Sequence, residues 1–139
     1  MKYYTNKLKE FNKAFNVPVD GNLDTPSELR FKLMQEENEE YLDARLIEDK
    51  TESKKEVLDA VTDQLYILCG TILHHGLEDD IQEAFDIVHA SNMSKLNDKG
   101  EPIINGINGE DKRKPKGKIL KSDNFREPNF DSILNEQSI

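Results

Sequence analysis

Residues 57–73, which read VLDAVTDQLYILCGTIL, constrain this chain more than any other stretch. Leu58, Val61, Leu65, Leu68 and Ile72 recur at the three–four spacing of one helical face. The neighbouring seam carries Asp59, Asp63, Tyr66, Gly70 and Leu73. Such a helix is apolar nearly all round, so neither aspartate is expected to find open water. Burying an ionised carboxylate without a partner costs several kcal/mol even after relaxation. The chain must therefore supply something that offsets the charge.

The preceding helical segment has the same anomaly. Its stripe runs Leu33, Glu37, Glu40, Ala44, Ile47, with Glu36 beside it. Read alone, the acidic run 36–40 also suits a solvated face; Asp59 and Asp63 do not. The i, i+3 spacing of Glu37 and Glu40 and the i, i+4 spacing of Asp59 and Asp63 each project a pair from one face. Two such helices side by side would make a cage of four carboxylates. Arg30 and Arg45 are the only arginines on these helices, too few to neutralise it. Oxygen ligands without a histidine or cysteine set favour Mg²⁺, with Mn²⁺ as a substitute, over zinc.

Four helices are expected, followed by a tail. The first covers about residues 3–15, with Leu8, Phe11 and Phe15 inward. The second opens with Thr25 as N-cap, Pro26 in the first turn and Glu28 closing a capping box, and reaches about Glu48. The third begins near Ser53, where Ser53-Lys54-Lys55-Glu56 is a second capping box that accounts for Glu56. It stops at Gly76, with His74 and His75 complementing the helix dipole and Leu77 beyond. The fourth runs from Asp79 or Asp80 to about Lys95 along the seam Ile81, Phe85, Val88, Asn92, Lys95, which turns polar at its end. From Asn97 onward glycine and proline accumulate: four of the seven glycines and three of the five prolines fall there. That composition predicts a helical domain over residues 1–96 and a basic, loop-rich arm over 97–139, packed on its own domain or on a partner subunit.

The net charge of −9 conceals an asymmetry, because residues 112–121 (KRKPKGKILK) carry six positive charges and no negative one. An acidic body argues against duplex nucleic acid, whose binding rests on phosphate neutralisation. The basic run reads equally as a solvated loop or as a grip on one polyphosphate. No apolar run approaches the roughly 20 residues of a membrane span, and no apolar leader follows Met1. The single cysteine, Cys69, can form no internal disulfide. A soluble, cytoplasmic protein is expected.

Together these residues resemble the MazG-like, all-α nucleoside triphosphate pyrophosphohydrolase superfamily, which includes phosphoribosyl-ATP pyrophosphohydrolases and dimeric dUTPases. Glu36-Glu37-Asn38-Glu39-Glu40 matches that family's EExxE, and residues 59–71 resemble its second metal helix. Residues 88–95, ending in Asn92-Met93-Ser94-Lys95, are similar to the Asn-x-x-Lys element that faces substrate phosphates. Residues 116–121 and 124–128 look like a basic closing segment. One departure concerns the second metal motif, ExxD, whose glutamate slot falls on Ala60; Asp59 is the nearest carboxylate, and Glu56-x-x-Asp59 fits the pattern in another register.

The resemblance implies a four-helix bundle with a loop-rich arm that hydrolyses a nucleoside triphosphate to monophosphate and pyrophosphate. Glu37, Glu40, Asp59 and Asp63 would hold Mg²⁺, and Glu36 would serve as base or anchor a second metal. Asn92 and Lys95 would fix the phosphates, and Lys118 and Lys121 would close over the pyrophosphate. The apolar girth of the third helix, like the resemblance, predicts a homodimer or a dimer of dimers. A di-iron bundle would want Glu-x-x-His pairs, which the chain lacks. A non-catalytic nucleotide-binding or regulatory module with a degenerate site is the other alternative.

Overall fold

In the computed structural model, which describes residues 1–137, the first helix, α1 (Lys2–Ala14), turns Thr5, Leu8 and Asn12 inward. Phe11 and Phe15, expected on the buried line, lie further out, at 39% and 65% exposure. They stack on each other with ring centroids 4.6 Å apart, and Phe11 meets Tyr66 edge-on at 5.7 Å. Asn12 earns its buried position by donating to the Pro18 carbonyl.

Helix α2 spans Glu28–Ala44. Its N-cap is Ser27, without a side-chain bond, and not Thr25. The Thr25 hydroxyl instead accepts the Asn22 N–H at 3.0 Å, closing the turn before the helix. The helix also ends at Ala44, short of the expected Glu48. Asp49 explains the early stop. It stands extended and accepts the Glu52 N–H at 2.8 Å, so it caps the next helix, α3 (Lys50–His74). Ser53 lies within that helix and donates to the Ala44 carbonyl. Glu56 consequently belongs to the second turn and caps nothing.

The other end of α3 follows the expectation closely. Gly76 is left-handed (φ +69°), its N–H bonds to the Leu73 carbonyl at 3.1 Å, and Leu77 N–H bonds to Ile72 at 2.9 Å. That is the paired bonding of a Schellman stop. The Gly21 carbonyl sits against Gly76 where a β-carbon would go. His74 does more than face the dipole: its Nε2 donates to the Pro26 carbonyl at 2.6 Å, tying the α1–α2 connection to the end of α3.

Helix α3 packs against both α1 and α2. Leu8, Cys69 and Leu73 form the buried cluster between α1 and α3. Against α2, Arg30 reaches over Gly70 to donate to the Ile67 carbonyl (2.7 Å) and the Thr71 hydroxyl (3.2 Å).

The chain divides into two compact units, Met1–Ile81 and Gln82–Ile139, the latter described to Gln137. The second opens with helix α4 (Ile81–Met93) and contains a two-stranded antiparallel ribbon, β1 (Ile103–Ile104) with β2 (Ile119–Leu120), and a short helix α5 (Asp131–Gln137). Serines bind the tail to the end of α4. Ser91 donates to the Arg126 carbonyl at 2.7 Å, Ser94 accepts the Arg126 N–H at 2.9 Å, and Ser122 donates to the Leu96 carbonyl at 2.8 Å. The architecture is all-α with a loop-rich C-terminal region. Among the described residues no helix is long and apolar enough to cross a membrane.

Candidate functional site

Helices α2 and α3 run antiparallel, as the pairings of Arg30 with Thr71, Asn38 with Gln64 and Ala44 with Ser53 require. That arrangement brings Glu37 opposite Asp63. One carboxylate oxygen from each of Glu37, Glu40 and Asp63 lies within 4.8 Å of the others. Among the described residues no other group of three or more acidic, histidine or cysteine side chains converges in this way.

The cluster is electrostatically loaded. Oε2 of Glu37 is buried and has no hydrogen-bond partner. Burial first, then the charges of Glu40 and Asp63, a hydrogen bond with Glu40 and the charge of Glu36 push the Glu37 carboxyl from 4.5 up to about 7. A proton there relieves the repulsion, and a cation would relieve it further. Three hard oxygen donors with one oxygen left without a partner fit a divalent ion of the Mg²⁺ or Mn²⁺ kind.

Asp59 stands apart from this group. It is exposed, because the inward position one turn before Asp63 is taken by Ala60, at 3% exposure. Asp59 lines a cleft of about 550 Å³ together with Glu40, Asp43, Glu52 and Glu56. Glu40 is common to the cleft and the cluster. Glu36 is exposed beside the cluster and is felt by Glu37 as a charge.

Sequence reasoning missed two braces of this site. Gln64 Nε2 donates to Asn38 Oδ1 at 2.8 Å, joining the residues that directly follow Asp63 and Glu37. Arg30 spans the same pair of helices farther along and passes close over Gly70, where a β-carbon would lie 2.5 Å from Nη2. The visible signal was a polar residue directly after Glu37 and directly after Asp63, and one arginine seven residues before Glu37.

The other expected site residues belong to the second unit. Asn92 is exposed near the end of α4 and Lys95 is half-buried just beyond it, its N–H bonded to the Asn92 carbonyl at 3.1 Å. Lys118 is exposed beside β2. Lys121 pairs with Glu127 at 3.7 Å and covers the Phe125 ring at 4.5 Å.

Residues 4–92 match the sequence model of phosphoribosyl-ATP pyrophosphohydrolase (PRA-PH), a span of more than half the chain that includes Glu37, Glu40 and Asp63. No individual curated protein matches it. The chain therefore belongs to the phosphoribosyl-ATP pyrophosphohydrolase family of the MazG-like all-α superfamily, whose fold is that of pyrophosphohydrolases acting on nucleotides.

Proposed function

We propose that this protein is a Mg²⁺-dependent nucleoside triphosphate pyrophosphohydrolase that cleaves between the α- and β-phosphates, releasing a nucleoside monophosphate and pyrophosphate. The observation that carries the reading is the unpartnered, buried Glu37 oxygen within reach of Glu40 and Asp63. Three carboxylates so close are costly without a cation, and the family match gives the cation a use.

Glu37, Glu40 and Asp63 hold the ion in this reading, and Asp59 adds a carboxylate from the adjoining cleft. The ion supplies positive charge against the triphosphate and makes water at the site more acidic. Glu36, exposed and free to exchange protons with solvent, accepts the proton of the water that attacks the α-phosphorus. The bond from that phosphorus to the bridging oxygen breaks, and the electron pair leaves with pyrophosphate. Asn92 donates its amide N–H to a phosphate oxygen and Lys95 contributes a charge. Lys118 and Lys121 engage the departing pyrophosphate, Lys121 exchanging Glu127 for it.

The same reading makes the active form a homodimer or a pair of dimers. Leu58, Leu68 and Phe31 stay exposed on α2 and α3, Leu58 at 66% and Phe31 at 70%. A partner that covered them would bury the apolar surface which one subunit leaves in water. The buried, unpaired Cys69 thiol suits a reducing cytoplasm.

A panel of ribo- and deoxyribonucleoside triphosphates, with phosphoribosyl-ATP included, tests the reading. Incubated with Mg²⁺ and the protein, at least one should yield monophosphate plus pyrophosphate, and Glu37→Gln should abolish the yield. Nucleotide binding without turnover across the whole panel would make the protein a binding module instead.

A further inference from the structure

Helix α4 ends without the device that ends α3. Among the described residues none between Ile81 and Lys99 takes the left-handed conformation that Gly76 supplies to α3. The last turn of α4 tightens instead, Lys95 N–H bonding to Asn92 and Leu96 N–H to Met93, at 3.1 and 3.3 Å. A helix end of this kind leaves carbonyls without partners inside the helix and is prone to fray. It is the turn that carries Asn92 and Lys95.

Three serines secure that turn from outside the helix pattern. The Ser122 hydroxyl lies between the carbonyls that flank Lys95, 2.8 Å from that of Leu96 and 3.2 Å from that of Ser94, and accepts the Asn124 N–H at 3.1 Å. Ser91 and Ser94 hold one residue of the tail by both its main-chain groups. Ser91 donates to the Arg126 carbonyl, while Ser94 accepts the Arg126 N–H and passes its own proton to the Ser91 carbonyl at 2.6 Å. Ser91 is the one buried residue of α4, at 8% exposure. An inward helical position ordinarily carries an apolar side chain, and a helical serine that bonds to backbone ordinarily reaches its own preceding turn. Here the inward hydroxyl reaches a carbonyl 35 residues along the chain. Apolar burial would hold the tail without direction. The hydroxyls fix its register to a single residue, Arg126.

We propose that Ser91, Ser94 and Ser122 are positioning residues for triphosphate binding, locking the last turn of α4 so that Asn92 and Lys95 meet the phosphates in a fixed arrangement. Ser91 directly precedes Asn92, and Lys95 directly follows Ser94. The serines commit their hydroxyls to backbone and touch no substrate. A turn ordered before the ligand arrives need not be ordered by it, so the gain appears in affinity. This inference rests on the proposed pyrophosphohydrolase reading and adds residues to its phosphate site.

Steady-state kinetics on the full chain, with Mg²⁺ and the nucleoside triphosphate that it turns over fastest, tests the proposal. Ser94→Ala and Ser122→Ala should each raise KM roughly 2–10-fold, the worth of one hydrogen bond, and leave kcat unchanged. A serine that only stabilised the fold would do the reverse, lowering the folded fraction and the rate at saturation at the same KM. Ser94→Thr keeps a hydroxyl and should restore the intact KM. In the background Lys95→Ala, which lacks one of the positioned side chains, Ser94→Ala should raise KM by a smaller factor. Mn²⁺ affinity, set by the carboxylates of the first unit, should stay at the intact level in every serine variant. Ser91→Ala should act as Ser94→Ala does; if it fails to fold, Ser94→Ala and Ser94→Thr still decide. An unchanged KM in Ser94→Ala, or an equal rise with and without Lys95, would overturn the proposal and leave the function standing. An intact protein that turns over no triphosphate would overturn both.

Discussion

Asn38 and Gln64 are joined side chain to side chain, the Gln64 amide donating to the Asn38 oxygen at 2.8 Å. Each directly follows a member of the carboxylate cluster, Glu37 on α2 and Asp63 on α3. The bridge therefore ties together two helix segments that mutual repulsion of the carboxylates would push apart. An exposed neutral hydrogen bond contributes about 0.5–1.5 kcal/mol, equivalent to a factor of roughly 2–10. Asn38→Ala and Gln64→Ala should each weaken Mn²⁺ binding by that factor and leave the maximal rate within about twofold. The swapped pair Asn38→Gln/Gln64→Asn should recover much of the loss. Unchanged Mn²⁺ affinity in both alanine variants would reduce the bridge to an incidental surface contact.

Glu37 makes the metal-free protein sensitive to pH in an unusual direction. Its carboxyl sits at about 7 in the folded chain against an ordinary 4.5, so folding favours the protonated form. The stability this group contributes is complete below about pH 4.5 and is lost as pH rises through about 7. Relative to Glu37→Gln, the metal-free protein should lose several degrees of Tm between pH 5 and pH 8. Mg²⁺ should restore them at the upper end, because a ligand that binds only the folded chain stabilises it. Binding of the ion should also release close to one proton per site near pH 6, measurable in buffers of different ionisation heat. A Tm difference that stays flat with pH would refute the assignment of this shift to Glu37.

The Arg30 brace predicts a coupled pair. Gly70→Ala puts a β-carbon 2.5 Å from Nη2, so the flexible Arg30 side chain must shift and give up its bonds to Ile67 and Thr71, which offsets the roughly 1 kcal/mol that alanine gains over glycine within a helix. In the background Arg30→Ala the same change should stabilise by about that amount, since the obstructing atoms are gone. Urea unfolding of the four proteins of the cycle measures the coupling. Additive costs would mean that Gly70 is needed for something other than Arg30.

Glu36 is the proposed base. Glu36→Gln should reduce turnover by about 10²–10⁴-fold, the usual worth of general-base catalysis. Mn²⁺ affinity should stay within a few-fold, because Glu36 lies outside the converging trio. Turnover at the intact level would remove Glu36 from the mechanism.

How far the sequence could be read is clearest at these residues. Glu37, Glu40 and Asp63 stood out because carboxylates at helical spacing interrupted apolar stripes, and the structure gathers those three. Asp59 looked equivalent only because i, i+4 and i, i+3 neighbours both share a face. Ala60 took the inward position, which periodicity alone could not decide. At the start of α3 two capping patterns compete within a few residues, and Asp49-x-x-Glu52 prevails over Ser53-x-x-Glu56. Thr25 was lost to a turn closed by Asn22, a local choice that leaves no mark on the apolar pattern. The ribbon strands have two residues each, too short to register as periodicity, and α5 is only seven long.

Direct titration of Mn²⁺, followed by its electron paramagnetic signal, is the sharpest test of the whole account. The intact protein should take up the ion near pH 7.5, and Glu37→Gln and Asp63→Asn should each weaken uptake by at least tenfold, with Asp59→Asn doing less. Uptake that survives the double change Glu37→Gln/Asp63→Asn at the intact level would contradict it.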